Sequence, residues 1–209
     1  MSLFHYQKIT HKRKLSPGPF KNYRTYKKYL KIEFDATCVY CRMPDSLSEE
    51  KSYAVEHYRP KSKFPHLETA YSNLFYSCCN CNGYKGSFWP DNSQKAMGMF
   101  VPNPCDHVMH DHLRSQAEGT IKPHSLTGQW AIELLDLNAP LQVKKRLTYL
   151  KFKKTIESQI ADLKGTYSEL EKNEKKIVDS KKLKSLQQDM ADVERQILEY
   201  EDAIKIFGS

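Results

Sequence analysis

Three things are scarce in this chain of 209 residues. No apolar run approaches the length needed to span a bilayer, so no membrane helix is expected. The opening Met1-Ser2-Leu3-Phe4-His5-Tyr6 has no apolar signal core. The expectation is therefore a cytoplasmic protein whose thiols stay reduced. Acidic residues are rare at the front, where residues 1–37 carry nine Lys/Arg against two acids. The rest is closer to balance: six against five over 38–90, three against six over 91–140, and fifteen against twelve over 141–209. The net charge of +8 is thus concentrated in an amino-terminal arm, as befits a polyanionic partner.

Cysteine is sparse too, at six residues, yet four of the six form two C-x-x-C pairs, Cys38/Cys41 and Cys78/Cys81. Two such knuckles suit a closed, tetrahedral four-thiolate zinc site. A structural zinc of this kind contributes roughly 10–16 kcal/mol of apparent folding free energy. It would replace core that a small module lacks. Disulfides are the weaker reading in a reducing compartment. Cys79 sits off the spacing and is expected to pack. Cys105, His107, His110 and His112 have no fixed spacing that would make them a second metal site.

Between and around the knuckles lie residues suited to phosphodiester hydrolysis, which needs an activated water and a cation near the scissile phosphate. His57 titrates near neutrality and is the natural general base. Glu56 precedes it, and on a strand the two point to opposite faces unless a bulge or strand end intervenes. Asn82 could bring an amide oxygen to the same cation, and Asn73 could fix the His57 ring. Taken singly, each has an ordinary structural explanation, such as a helix cap for Asn. Their order between two knuckles gives them weight.

That order, Cys38/Cys41, Glu56-His57, Asn73-Leu74, Cys78/Cys81, Asn82 and Lys85, resembles the HNH endonucleases of the ββα-metal type that carry a four-cysteine zinc site. The resemblance is strongest over about residues 30–90. It implies that Glu56 and Asn82 hold the catalytic cation, that His57 deprotonates water and that Asn73 orients His57. Glu stands where Asp is commoner, and Asn82 where the last His is commoner. A carboxylate and an amide are hard oxygen donors, which favours Mg2+ or Mn2+. The runs E-H-Y-R-P-K-S, N-L-F-Y-S-C and C-N-G-Y-K-G, with the later I-E-L-L-D-L-N and K-K-R, are similar to the HNH subunit of Septu-type and retron-associated antiphage systems. That likeness implies an SMC/RecF-like ATPase partner.

The remaining chain divides naturally. Residues 1–37 form the basic arm, in which Asn22 to Lys31 reads as a short helix with tyrosines at 23, 26 and 29. Basic and aromatic residues so interleaved suit a nucleic-acid backbone, or equally a solvated face with tyrosines packed inward. Residues 38–90 are the HNH core, with Tyr53 to Tyr58 alternating as a strand and Ser77 to Lys85 as the metal-binding helix ending at Gly86. Arg59, Lys61, Lys63 and Lys85 are candidate phosphate contacts. Residues 91–128 are rich in turn formers, with a hairpin around Ala117-Glu118-Gly119.

Residues 129–209 read as helix, restarting at Pro140. Leu183, Leu186, Met190, Val193, Ile197, Tyr200 and Ile204 step by threes and fours as a heptad seam. The seam belongs either to an antiparallel pair folding back near residues 172–181 or to a contact with another chain, an ATPase or a second copy. The expected fold is therefore α+β, a small zinc-stapled ββα-metal core with a helical carboxy-terminal arm. The expected activity is metal-dependent cleavage of nucleic acid, DNA ahead of RNA. The rival classes are a zinc-dependent binding module and an assembly subunit that does not cleave.

Overall fold

The computed structural model describes residues 4–47 and 52–205, so the extreme ends of the arm and of the helical segment lie outside the described residues. Ten elements follow in order: α1 (Lys27–Glu33), β1 (Tyr53–His57), β2 (Leu74–Cys78), α2 (Cys79–Lys85), α3 (Asn92–Ala96), β3 (Leu113–Ser115), β4 (Ile121–Pro123), α4 (Leu126–Leu134), α5 (Pro140–Glu174) and α6 (Ser180–Lys205). No helix among the described residues is long and apolar enough to cross a membrane.

The centre is an antiparallel hairpin, β1 on β2, running in register from Tyr53 opposite Cys78 to His57 opposite Leu74. β2 is buried along four of its five residues. Its aromatics Phe75 and Tyr76 supply much of the core, with Leu30, Val39 and Tyr40 around them. The chain then turns directly into α2, where the Cys78 sulfur accepts from the Cys81 amide as an N-cap. Gly86 ends the helix at φ 49°, a conformation that costs glycine least.

The expected amino-terminal helix forms in two pieces: a 3-10 turn over Tyr23–Tyr26, capped by the Asn22 side chain, and then α1. The arm before it is tied down. The buried Glu33 carboxylate accepts from the amides of Lys14 and Leu15 and from Tyr71 Oη, and pairs with His11. Arg13 enters among the rings of Phe34, Tyr71 and Phe75, all within 4.9 Å of its guanidinium carbon, and donates to Leu74 O. Tyr26 is buried and Tyr29 stacks on Phe20. The packed reading of the arm therefore holds for Tyr26 and Arg13, while Lys8, Lys12, Lys14 and Lys28 remain exposed.

The second hairpin, β3 with β4, turns through Gly119 at φ 84° as the sequence predicts. A side chain there would strike Val143 O at 2.7 Å and Leu147 N at 2.9 Å, so glycine is what lets this turn lie on the backbone of α5. Asn138 clamps the same hairpin, bonding both the amide and the carbonyl of Ile121.

Residues 1–148 form one compact unit and 149–209 a second. In the second, α5 and α6 run antiparallel, joined near residues 175–179. Lys164 meets Glu201 at 2.7 Å and Gln187 meets Glu174 at 3.0 Å, which sets the register. This is the folded-back pair. Every seam position on α6 is half-buried and none is fully buried.

Candidate active site and metal centre

The four knuckle cysteines come together as their spacing predicts. Their sulfurs lie within 4.8 Å of one another, and Cys41 Sγ is 3.8 Å from Cys78 Sγ. A tetrahedral zinc with bonds of about 2.3 Å would place its sulfurs about 3.8 Å apart, so the donor set fits such an ion. Crowding splits the thiols: against desolvation, hydrogen bonds from Cys41, Cys78 and Cys81 hold Cys38 well below the ordinary thiol range. Hydrogen bonding to the Cys38 sulfur is the largest of the causes that push Cys81 well above the ordinary thiol range. Four thiolates at this spacing need a cation to coexist.

The candidate catalytic residues stand at the other end of the hairpin. β1 is regular up to its last residue, without a bulge, and Glu56 and His57 fall on opposite sides as a strand dictates. Glu56 faces inward, with its side chain 2% exposed. His57, half-buried, closes the strand. Its Nε2 is 2.9 Å from Glu68 O. A carbonyl can only accept, so Nε2 carries the proton and Nδ1 is the basic nitrogen. Desolvation by burial, with the charges of Lys61 and Lys85, holds the imidazole below its usual range. It is therefore neutral at pH 7, the state a general base requires.

Two placements differ from the sequence reading. Asn73 makes no hydrogen bond to the His57 ring. Its amide bonds the backbone N and O of Arg59 and the carbonyl of Leu67, so it clamps the loop between the strands. The ring is held instead by the carbonyl of Glu68 at the far end of that loop. Lys85 is not placed for a phosphate contact: its side chain is 2% exposed and its ammonium lies 2.6 Å from Glu56 Oε1. It also donates to His57 O at 3.0 Å, so one buried cation joins both catalytic candidates to α2. Tyr23, from the arm, meets the His57 ring edge-on at 4.7 Å. Lys61 in turn sits 4.7 Å over the Tyr23 ring.

Asn82 is half-exposed on α2, three residues before Lys85 and so beside it on the helix surface, and it is Lys85 that reaches His57 O and Glu56. The Glu56 oxygen Oε1 takes the Lys85 ammonium and, at 3.5 Å, the Tyr40 hydroxyl. Desolvation outweighs the Lys85 attraction and pushes the Glu56 carboxyl up to about 7. Arg59, Lys61 and Lys63 are exposed on the loop that follows His57. Arg59 lies over Trp89 and Phe64, and Lys61 pairs with Glu68 at 3.4 Å.

Glu68 carried no signal in the sequence beyond ordinary polarity, and Tyr23 stood out only within the basic and aromatic run of the arm, with nothing that tied it to His57. A backbone acceptor has no residue identity to read, and Tyr23 reaches His57 only through the folding of the arm.

Comparison with known proteins gives the class first. Residues 38–88 match the family model of the HNH endonuclease, and with β1, β2 and α2 in succession this segment is an HNH ββα domain that carries the four clustered cysteines. The particular likeness is to the Septu protein PtuB of Bacillus thuringiensis, 33% identical over 103 residues, 48% of this chain. The match spans 36% of that relative's own length.

Proposed function

We propose that the chain is a metal-dependent endonuclease hydrolysing DNA phosphodiesters, the cytoplasmic nuclease of an antiphage defence complex. The observation that carries this reading is His57. Within an HNH domain it is neutral, its Nε2 proton is committed to Glu68 O, and Nδ1 is left to accept a proton. In the reaction, His57 Nδ1 takes the proton of a water molecule as the water oxygen bonds to phosphorus and the bond to the leaving oxygen breaks. Glu56 and Asn82 supply hard oxygen donors for Mg2+ or Mn2+, which would stabilise charge on the phosphate and the leaving oxygen. The Lys85 and Tyr40 contacts both fall on Oε1, which leaves Oε2 of Glu56 for that role. Asn73 acts at one remove by fixing the loop that carries Glu68. Arg59, Lys61 and Lys63 contact phosphates along the strand. The cysteine cluster holds Zn2+.

The half-buried seam of α5 and α6 supports assembly, either with an SMC/RecF-like ATPase, as the Septu likeness suggests, or with a second copy. One observation favours a second reading, a binding or assembly subunit without cleavage. Lys85 already neutralises Glu56 and competes with a metal for it.

The deciding experiment compares wild type and His57→Ala on DNA and RNA, with Mg2+ or Mn2+, alone and with the ATPase, after zinc content is checked in both. Cleavage by wild type that falls by about 10²–10⁴ in zinc-replete His57→Ala supports hydrolysis and names the substrate. Salt-sensitive binding with no cleavage under any condition selects the second reading.

A further inference from the structure

Arg146, early in α5, is the largest fully buried side chain of the molecule, at 1% exposure. Its Nε donates to Gly119 O and its Nη2 to Leu137 O, both at 2.5 Å. Both acceptors are neutral, and Nη1 has no partner. A guanidinium does not deprotonate in proteins. A buried charge left without an opposite one costs several kcal/mol, so an anion is called for. No carboxylate among the described residues pairs with it.

The groups whose charge acts on Arg146 are Tyr6, Cys41 and Cys81. Tyr6 is no anion: burial drives its hydroxyl well above the ordinary range, and it donates its proton to Tyr40 O at 2.8 Å. The cysteines remain, and their charge is shared with Arg42, the residue after Cys41, whose guanidinium burial lowers and the charges of Tyr6, Cys38 and Cys41 raise. The start of α5 lies against the knuckle, since Gln142 and Lys145 line one cavity together with Cys78 and Cys79. Four thiolates around a divalent ion leave two net negative charges that a buried site must balance.

We propose that Arg146 is, with Arg42, one of two fixed countercharges of a metal–tetrathiolate centre on Cys38, Cys41, Cys78 and Cys81, and the one carried by α5, so that metal occupancy and the docking of α5 on the core depend on each other. This rests on the reading of the cysteine cluster as a metal site. Arg146 touches three things at once: the turn of the second hairpin at Gly119, the approach to α5 at Leu137, and the field of the thiolates. Losing the metal would strand a buried cation, and the relief available is for the first turns of α5 to lift away. The nuclease core would then signal its metal state to the start of the helix that continues into the helical hairpin.

The test uses the full chain prepared with Zn2+, as wild type, Arg146→Gln, Arg146→Lys and Cys81→Ala. Zinc per chain is measured, with the rate of zinc loss to a chromophoric chelator and hydrogen exchange over residues 141–147. Arg146→Gln keeps a donor but no charge and is expected to release zinc at least about tenfold faster, the usual scale for losing a group that supports metal ligands. Arg146→Lys keeps the charge and is expected to stay within about threefold of wild type, since ammonium replaces guanidinium as a point charge. Wild-type release rates in both variants, or equal acceleration in both, would overturn the proposal.

If Arg146→Gln does not fold, wild type decides. Chelation must raise exchange at 143–147 while β1 and β2 stay protected. Unchanged protection in folded zinc-free protein refutes the coupling. Wild type without zinc, or Cys81→Ala retaining it, would instead refute the metal reading itself.

Discussion

Two buried glutamates of the same core behave in opposite ways. Glu33, which anchors the arm, accepts two backbone amides, the Tyr71 hydroxyl and the His11 ring. Burial alone would raise its carboxyl, but the Lys14 and Leu15 amides and His11 more than offset this and hold it below the usual range. Glu56, in the candidate site, is equally shielded from water but lies far deeper among protein atoms, has only Lys85 and a long contact to Tyr40, and burial lifts it to about 7. What separates them is depth in the protein together with how fully the ionised oxygens are satisfied. A structural carboxylate is surrounded by donors. The candidate functional one is left short of them, which gives a cation something to supply.

The largest effect that should sharpen this contrast is Glu33→Ala. It strands two amides and a hydroxyl and is expected to cost about 3 kcal/mol in urea unfolding. A change below about 1 kcal/mol would mean that the arm contributes little to the fold.

Next comes pH. Between pH 4.5 and about 7 the folded protein binds a proton at Glu56 that the unfolded chain has released. Stability should therefore fall as pH rises through that window, by on the order of 1–3 kcal/mol. Glu56→Gln should flatten the decline, and Mg2+ or Mn2+ should reduce it in wild type. Glu33 acts in the other sense. Its contribution is complete above its ordinary value near 4.5 and is lost as pH falls through its lower folded value. Unfolding curves for wild type and Glu56→Gln at pH 5 and pH 8 test the first sign, and wild type at pH 3 against pH 5 tests the second.

Asn73→Ala should cost about 1–2 kcal/mol, because it frees the Arg59 amide, and should lower cleavage through a loosened Glu68 carbonyl without shifting its metal dependence. Unchanged cleavage would show that the loop does not position His57. The smallest effect belongs to the rim. Lys61→Ala should leave stability within about 1 kcal/mol and lower the salt dependence of DNA binding by about one unit of slope.

Much of the core was legible because its signals are local. The C-x-x-C spacing located the knuckles, alternation located β1, Gly86 and Pro140 marked a helix end and a helix start, and heptad steps marked α6. The electrostatic interior was not legible. Arg13, Glu33, Lys85 and Arg146 are residue types that ordinarily face water. Each is inside because of a partner distant in sequence: Leu74 O, the amides of Lys14 and Leu15, Glu56, and Gly119 O. Asn73 was read as a ring-orienting group because its motif position suggested one. Its real partners are backbone atoms of the intervening loop, and no sequence pattern names those.

The arm's insertion has one further consequence. A two-stranded sheet has two open edges, and an open edge invites a strand from another molecule. Along the outer side of β2, Tyr76 O is taken by the Val39 amide at 3.0 Å, and Leu74 O by Arg13 at 2.7 Å. The first of these comes from the knuckle and the second from the arm, so neither is a strand. Together they close to intermolecular pairing the edge that the most apolar strand of the protein would otherwise present.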